Sequence, residues 1–169
     1  MAMNGAEVEA AGAAIPAMYL SALRLICGRL GEAANVWAVT GSLAFALRGM
    51  DLVVHDIDLQ CDRAGAYEIE RRLSEFIVEP VRFSEAERIR SHFGALRVCD
   101  VRVEIMGDIE KRAAGSGWEP PVDLAQLREW ITAHGLHVPV LSLEHECRAY
   151  RALGRTERAD MLRRWMERE

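Results

Sequence analysis

The chain has 169 residues, half of them hydrophobic by count, and a formal net charge of −5. That length suits one domain with a sizeable core. The acidic balance excludes a general nucleic-acid binder, which needs Lys and Arg against phosphates, and no apolar run approaches the ~18 residues of a membrane-spanning helix.

A nucleotide substrate is not excluded, because a bound metal would supply local positive charge. Cys27, Cys61, Cys99 and Cys147 show no C-x-x-C spacing, and the first residues carry no basic n-region. A reducing cytoplasm with free, buried thiols is the simplest reading. The sequence shows no internal repeat and no low-complexity segment.

Residues 1 to about 14 are Ala-rich, weakly patterned and expected to fray. Pro16 suits the first turn of a helix that runs to about Leu30 and closes at Gly31. Val36 to Thr40 is a short buried-strand pattern. Gly41 permits a tight turn, Ser42 is placed to open a short apolar helix, and Gly49 to end it. A helix N-terminus offers free N–H groups to an anion, so this turn is a candidate phosphate seat, with Arg48 at the far end of the helix as a further phosphate contact.

The next strand carries His55-Asp56-Ile57-Asp58-Leu59-Gln60. Strand side chains alternate, so Asp56, Asp58 and Gln60 share one face, and Ile57 and Leu59 take the other. Two carboxylates one strand repeat apart repel each other unless something cationic sits between them. A divalent ion fits, because hard cations prefer carboxylate oxygens. His55 faces away from Asp56 and reads as a packing or rim residue.

Ala64 to Phe76 reads as a helix with Tyr67, Ile69, Leu73 and Phe76 inward. Ile77 to Phe83 is a strand whose Pro80 suits a sheet edge. Arg90 to Met106 is a hairpin turning near Cys99-Asp100. In its second arm Val101, Val103 and Ile105 point to the core, which leaves Arg102, Glu104 and Met106 on the other face. Glu104 is therefore ranked as a third carboxylate ahead of Asp100, in the turn, and Asp108, beyond the strand. His92 lies on the arm facing the Glu104 strand, within reach of the same site, where an imidazole would favour Mn²⁺ or Zn²⁺.

Lys111 to Pro121 is a loop holding Trp118, an aromatic placed either to anchor the loop or to cover a substrate ring. Leu124 to Ala133 looks helical, with His134 and His137 flanking Gly135 in a turn. Val138 to Leu141 is a short apolar strand at the sheet edge. Ser142 caps a helix reaching Leu153, with Glu144 and Glu146 in its first turn. Thr156 caps a last helix ending near Met166, and Arg151, Arg155 and Arg158 line these helices as a solvated face or a basic wall over the cleft. Periodicity alone gives one domain over residues 1–169, α/β or α+β, with residues 142–169 as C-terminal helices.

The combination of Gly41-Ser42, Asp56-Ile57-Asp58 and a downstream carboxylate strand resembles the nucleotidyltransferase superfamily, most closely its small stand-alone bacterial members, the antibiotic and minimal nucleotidyltransferases. The resemblance covers about Val36 to Asp108. It implies a mixed β-sheet flanked by helices, with Asp56, Asp58 and Glu104 as catalytic and metal-binding residues for Mg²⁺, or Mn²⁺. It implies that Gly41 and Ser42 bind the phosphates of an NTP such as ATP, that a nucleoside monophosphate passes to a hydroxyl acceptor, and that pyrophosphate leaves; Arg48 either joins them at the phosphates or solvates the helix end. Glu104 departs from the commoner Asp of the family and is longer by one methylene. The acceptor is a small molecule or a protein. Two other readings stay open, a regulatory module of antitoxin type paired with a toxin-type protein, and a degenerate member that binds nucleotide without transfer.

Overall fold

The computed structural model describes residues 14–31 and 36–168. The segment expected to fray falls almost entirely outside these residues. Helix α1 (Ala17–Leu30) starts after Pro16 and stops at Gly31, whose φ is +60°. Strand β1 (Trp37–Thr40) leads directly into α2 (Gly41–Leu47), and Gly49, at φ +97°, turns the chain out of it. Strand β2 (Ile57–Cys61) and helix α3 (Arg63–Arg72) follow, with the Asp62 carboxylate accepting from the Gly65 N–H at 2.6 Å as the N-cap. A single 3₁₀ turn, Ser74–Phe76, completes the segment expected to be helical. Tyr67, expected inward, is exposed, whereas Ile69 and Leu73 are buried.

Strands β3 (Ile77–Glu85), β4 (Ile89–Val98) and β5 (Val101–Lys111) form a meander. β3 is an edge strand with register shifts around Pro80, as its missing N–H requires. Cys99 and Asp100 turn β4 into β5 at φ +48° and +62°, the left-handed pair of a two-residue hairpin.

Helix α4 is only one turn long (Leu124–Leu127), and the rest of the stretch expected to be helical is strand β6 (Arg128–Ala133). Trp130, Ile131 and Thr132 have aromatic or β-branched side chains that fit a pleated surface. His134 and Gly135, at φ +52° and +72°, close a second two-residue hairpin into β7 (Leu136–Leu141). β7 is not the edge: β6 covers it, and it pairs in parallel with β1. Helix α5 (Leu143–Ala152) is capped by Ser142, whose Oγ accepts from the His145 N–H at 3.3 Å. Helix α6 (Thr156–Met166) starts without a side-chain cap, so Thr156 does not play the part expected of it.

All seven strands join one sheet, ordered β3-β4-β5-β2-β1-β7-β6. One face carries Val39, Ile57, Leu59, Val103 and Ile105 into a core shared with Leu23 and Ile26 of α1 and Ile69 and Leu73 of α3. The other face is partly roofed by α5, which packs with α6 through Leu143, Cys147, Ala159 and Leu162. Among the described residues no helix is long and apolar enough to cross a membrane. Cys61 and Cys147 are buried and Cys27 half-buried, but Cys99 is exposed at its turn.

Candidate active site

The sheet register assembles the site. Thr40 of β1 stands beside Asp58 of β2, and Asp58 beside Glu104 of β5. One strand repeat further along, Ala38, Gln60 and Met106 form the next row. Both rows face α5 because their neighbours Ile57, Leu59, Val103 and Ile105 fill the core. Asp56, just before β2, completes a group with Asp58 and Glu104 in which one oxygen from each lies within 4.8 Å of the others.

Three half-buried carboxylates at this distance strain one another electrostatically. Burial, then the charges of Asp56 and Glu104, push Asp58 up to about 8. Burial, then Glu104, also raises Asp56. Arg102 offers partial relief, donating from Nε to Glu104 Oε1 at 2.9 Å. The donor set is all oxygen, acidic and clustered, which fits a hard divalent cation.

Gly41 borders the same cleft at φ +73°, with Asp58 so close that a Cβ on residue 41 would lie 2.8 Å from Asp58 Oδ2. Only glycine satisfies both the backbone angle and that approach. Ser42 is not the N-cap: Thr40 precedes the helix, and the Ser42 Oγ accepts from the His55 N–H at 3.4 Å, bracing α2 against the residues before Asp56. Arg48 has other partners, Glu129 Oε2 at 2.7 Å and the Leu141 carbonyl at 3.0 Å, so it ties α2 to the β6–β7 hairpin rather than facing the cleft.

His92 does not join the carboxylates. It pairs with Gly107, on the α3 side of the sheet, where its Nδ1 lies 3.2 Å from the Tyr67 hydroxyl and its ring lies against Phe83. The Trp118 ring is taken up by two guanidinium groups, Arg90 at 4.5 Å and Arg112 at 4.3 Å, so it anchors its loop. Arg155 lines the cleft, whereas Arg158 lies over Phe45 and Arg151 beside Asp160.

Two groups that sequence periodicity missed also face the cleft. Glu146 is 4 % exposed and accepts from the Thr40 hydroxyl and the Gly41 N–H. Burial raises its pKa, and these two donors oppose the rise. Its place in the first turn of α5 made it look like a dipole-compensating surface acid. His145 and Ala149, and with them Tyr150 and Leu153 one turn on from Glu146 and Ala149, form the rest of the face over the cleft.

Lys111 arrives through a β-bulge. Between the pairs His92–Gly107 and Arg90–Glu110, β5 advances three residues while β4 advances two, and the extra residue is Asp108 at φ +50°. Simple alternation from Glu104 would aim Asp108 and Glu110 at the cleft; the bulge substitutes Ile109 and Lys111. Burial lowers the Lys111 pKa against the pull of Glu146 and Glu119. The cleft itself measures about 260 Å³.

Residues 22–164 match the family described as aminoglycoside-2''-adenylyltransferase. A Thermotoga maritima protein provisionally described as a nucleotidyltransferase has a crystal structure with 51% sequence identity, covering 92% of this chain and 97% of that chain at a TM-score of 0.79. A lincosamide antibiotic adenylyltransferase, solved with lincomycin bound, shares 13% identity over 78% of this chain and 82% of its own, at a TM-score of 0.48. No curated protein matches. The chain belongs to the aminoglycoside-2''-adenylyltransferase family and is a nucleotidyltransferase.

Proposed function

We propose that this enzyme transfers a nucleoside monophosphate, adenylate in the first instance, from an NTP to a hydroxyl acceptor and releases pyrophosphate. The observation that carries the reading is the Asp56–Asp58–Glu104 cluster beside the glycine turn at Gly41. Asp56, Asp58 and Glu104 would hold Mg²⁺ or Mn²⁺, which when bound supplies positive charge to the phosphoryl oxygens.

The chain's own groups do the remaining work. Gly41 brings backbone against the triphosphate without a side chain in the way. Lys111 and Arg155 offer positive charge from the cleft walls. Glu104 would also serve as the base that takes the acceptor proton. Such a site acts by positioning and charge neutralisation.

The family description names an aminoglycoside, which makes a hydroxyl-bearing small molecule the acceptor to screen first. One sheet joins strands drawn from residues 37 to 141, which supports the reading of these residues as one domain.

The test is a thermal-shift series with ATP, GTP, CTP and UTP, each with and without Mg²⁺ or Mn²⁺. Ligand at 100 times its dissociation constant stabilises the fold by about 2.7 kcal/mol. A metal-dependent shift in the wild type that is absent from the Asp56→Asn/Asp58→Asn double variant is expected. Absence of a shift with every nucleotide would sink the reading and favour a protein partner.

A further inference from the structure

Gln60 is a buried polar residue that the chemistry above does not use. It is 6 % exposed, on the row next to Asp58, and borders the cleft together with the two hollows that open from it. Among the described residues none of the side-chain hydrogen bonds involves it, and its amide is not sealed off, since the buried side-chain polar atom left without a partner is Arg48 Nε; the Gln60 amide therefore opens onto the cleft. An amide that opens onto a cleft beside apolar surface offers a donor group and an acceptor to orient a ligand.

The sheet fixes which part of the ligand arrives there. The order along this face is the Gly41 turn, Asp58 beside Thr40, then Gln60 beside Ala38. With the terminal phosphates at the Gly41 turn and the α-phosphate at the carboxylates, the nucleoside end of the donor extends toward Gln60. Two strand residues place the Gln60 backbone about 7 Å beyond that of Asp58, in the direction in which the nucleoside extends. Met106 and Ile109 from the sheet and Ala149 from α5 border the same space, with apolar surface for a flat ring.

Resting on the proposed function, we infer that the Gln60 amide reads the nucleobase of the donor and selects adenine. Its carbonyl oxygen accepts from the exocyclic amine while its NH₂ donates to the adjacent ring nitrogen, the bidentate match of an amide to adenine. The larger hollow, about 560 Å³ and bordered by Lys111, Arg148 and Glu119, is left for the acceptor.

The experiment is equilibrium titration of the intact protein in Mg²⁺ with ATP, GTP, CTP, UTP and inorganic tripolyphosphate. It uses wild type, Gln60→Leu and Gln60→Glu, with Asp58→Asn as control. Wild type is expected to prefer ATP. Both Gln60 variants should lose about tenfold or more for ATP while changing little for the other nucleotides, so that the preference collapses. Tripolyphosphate binding should be unchanged in them, which also shows that the fold is intact. Wild type with no base preference, or Gln60 variants that keep it, would overturn the inference and leave the proposed function standing. Equal loss of ATP and tripolyphosphate in both Gln60 variants would overturn it in favour of a structural role. Wild type that binds neither nucleotide nor tripolyphosphate would bring down the proposed function itself, and this inference with it.

Discussion

Gly41 and Asp58 are in contact range across the β1–β2 pair, with room for no atom between the Gly41 Cα hydrogens and Asp58 Oδ2. Gly41→Ala would place a methyl 2.8 Å from that oxygen at a φ of +73°. A non-glycine residue in this region costs about 1–3 kcal/mol, and displacing Asp58 by even an ångström would lower turnover about 10²-fold. Chemical denaturation and steady-state kinetics on the same variant should show the activity loss to be the larger. Near-normal kcat in Gly41→Ala would show that Asp58 tolerates displacement.

Removing the Asp58 charge should separate stability from activity. Asp58→Asn keeps the shape and removes both the burial cost and the repulsion from Asp56 and Glu104 that raise the Asp58 pKa. The metal-free variant should melt above the metal-free wild type while kcat/KM falls about 10²–10³-fold. Calorimetry and single-turnover assays check the two halves. A lower melting temperature would mean that the carboxylate holds the fold together.

The same shift sets a pH dependence. Asp58 is raised from 3.8 to about 8 in the fold, so the native state binds a proton more tightly than the unfolded chain does. Its stabilising contribution is complete below about pH 4 and is lost as pH rises to about 8. Asp56 and Glu146 shift in the same direction. Metal-stripped protein should therefore lose stability across this interval, and Mg²⁺ should restore it most strongly at the alkaline end. Melting curves at stepped pH with EDTA or Mg²⁺ measure it; a metal-free stability that rises steadily from pH 4 to 8 would contradict the site's electrostatics.

Arg102 competes with any ion for Glu104. The Arg102 Nε–Glu104 Oε1 contact is 2.9 Å and the arginine is 40 % exposed. An exposed pair contributes little to stability, about 0–1 kcal/mol. Arg102→Gln should leave the melting temperature within a degree or two and tighten Mg²⁺ or Mn²⁺ binding several-fold, read by isothermal titration. Weaker metal binding in this variant would instead make Arg102 a positioning residue for Glu104.

Glu146 anchors α5 to the glycine turn through Thr40 and Gly41. Glu146→Ala leaves those donors without their partner and should cost about 1–3 kcal/mol. A double-mutant cycle with Thr40→Val should give a coupling of about 1 kcal/mol or more. Additive effects would mean that α5 is held by its apolar contacts alone.

Local signals in the sequence carried the chemistry. Asp-x-Asp leading into a β2 of alternating polarity, Gly41 opening an apolar helix, and Val101-x-Val103-x-Ile105 flanking Glu104 are short-range patterns, and alternation along a strand is enough to place each side chain on a face. Turn residues were legible for the same reason, since Cys99-Asp100 follows from two apolar arms. The Leu124–Ala133 stretch was misread because its composition suits either state until a partner strand exists, and β7 supplies one. Ser42 and Arg48 sit where a helix cap and a helix end were expected, but their partners, the His55 amide and Glu129, are brought in from distant chain.

The sequence by itself determined the candidate charged centre, because three carboxylates on or beside two strands repel wherever the strands meet and so call for a cation. Tertiary structure decided what surrounds it. A bulge at Asp108 exchanges Glu110 for Lys111, the β2–β5 register sets Asp58 against Glu104, and the docking of α5 turns Glu146 from a surface acid into a buried one. Each depends on contacts between residues far apart in the chain, and no local periodicity encodes those.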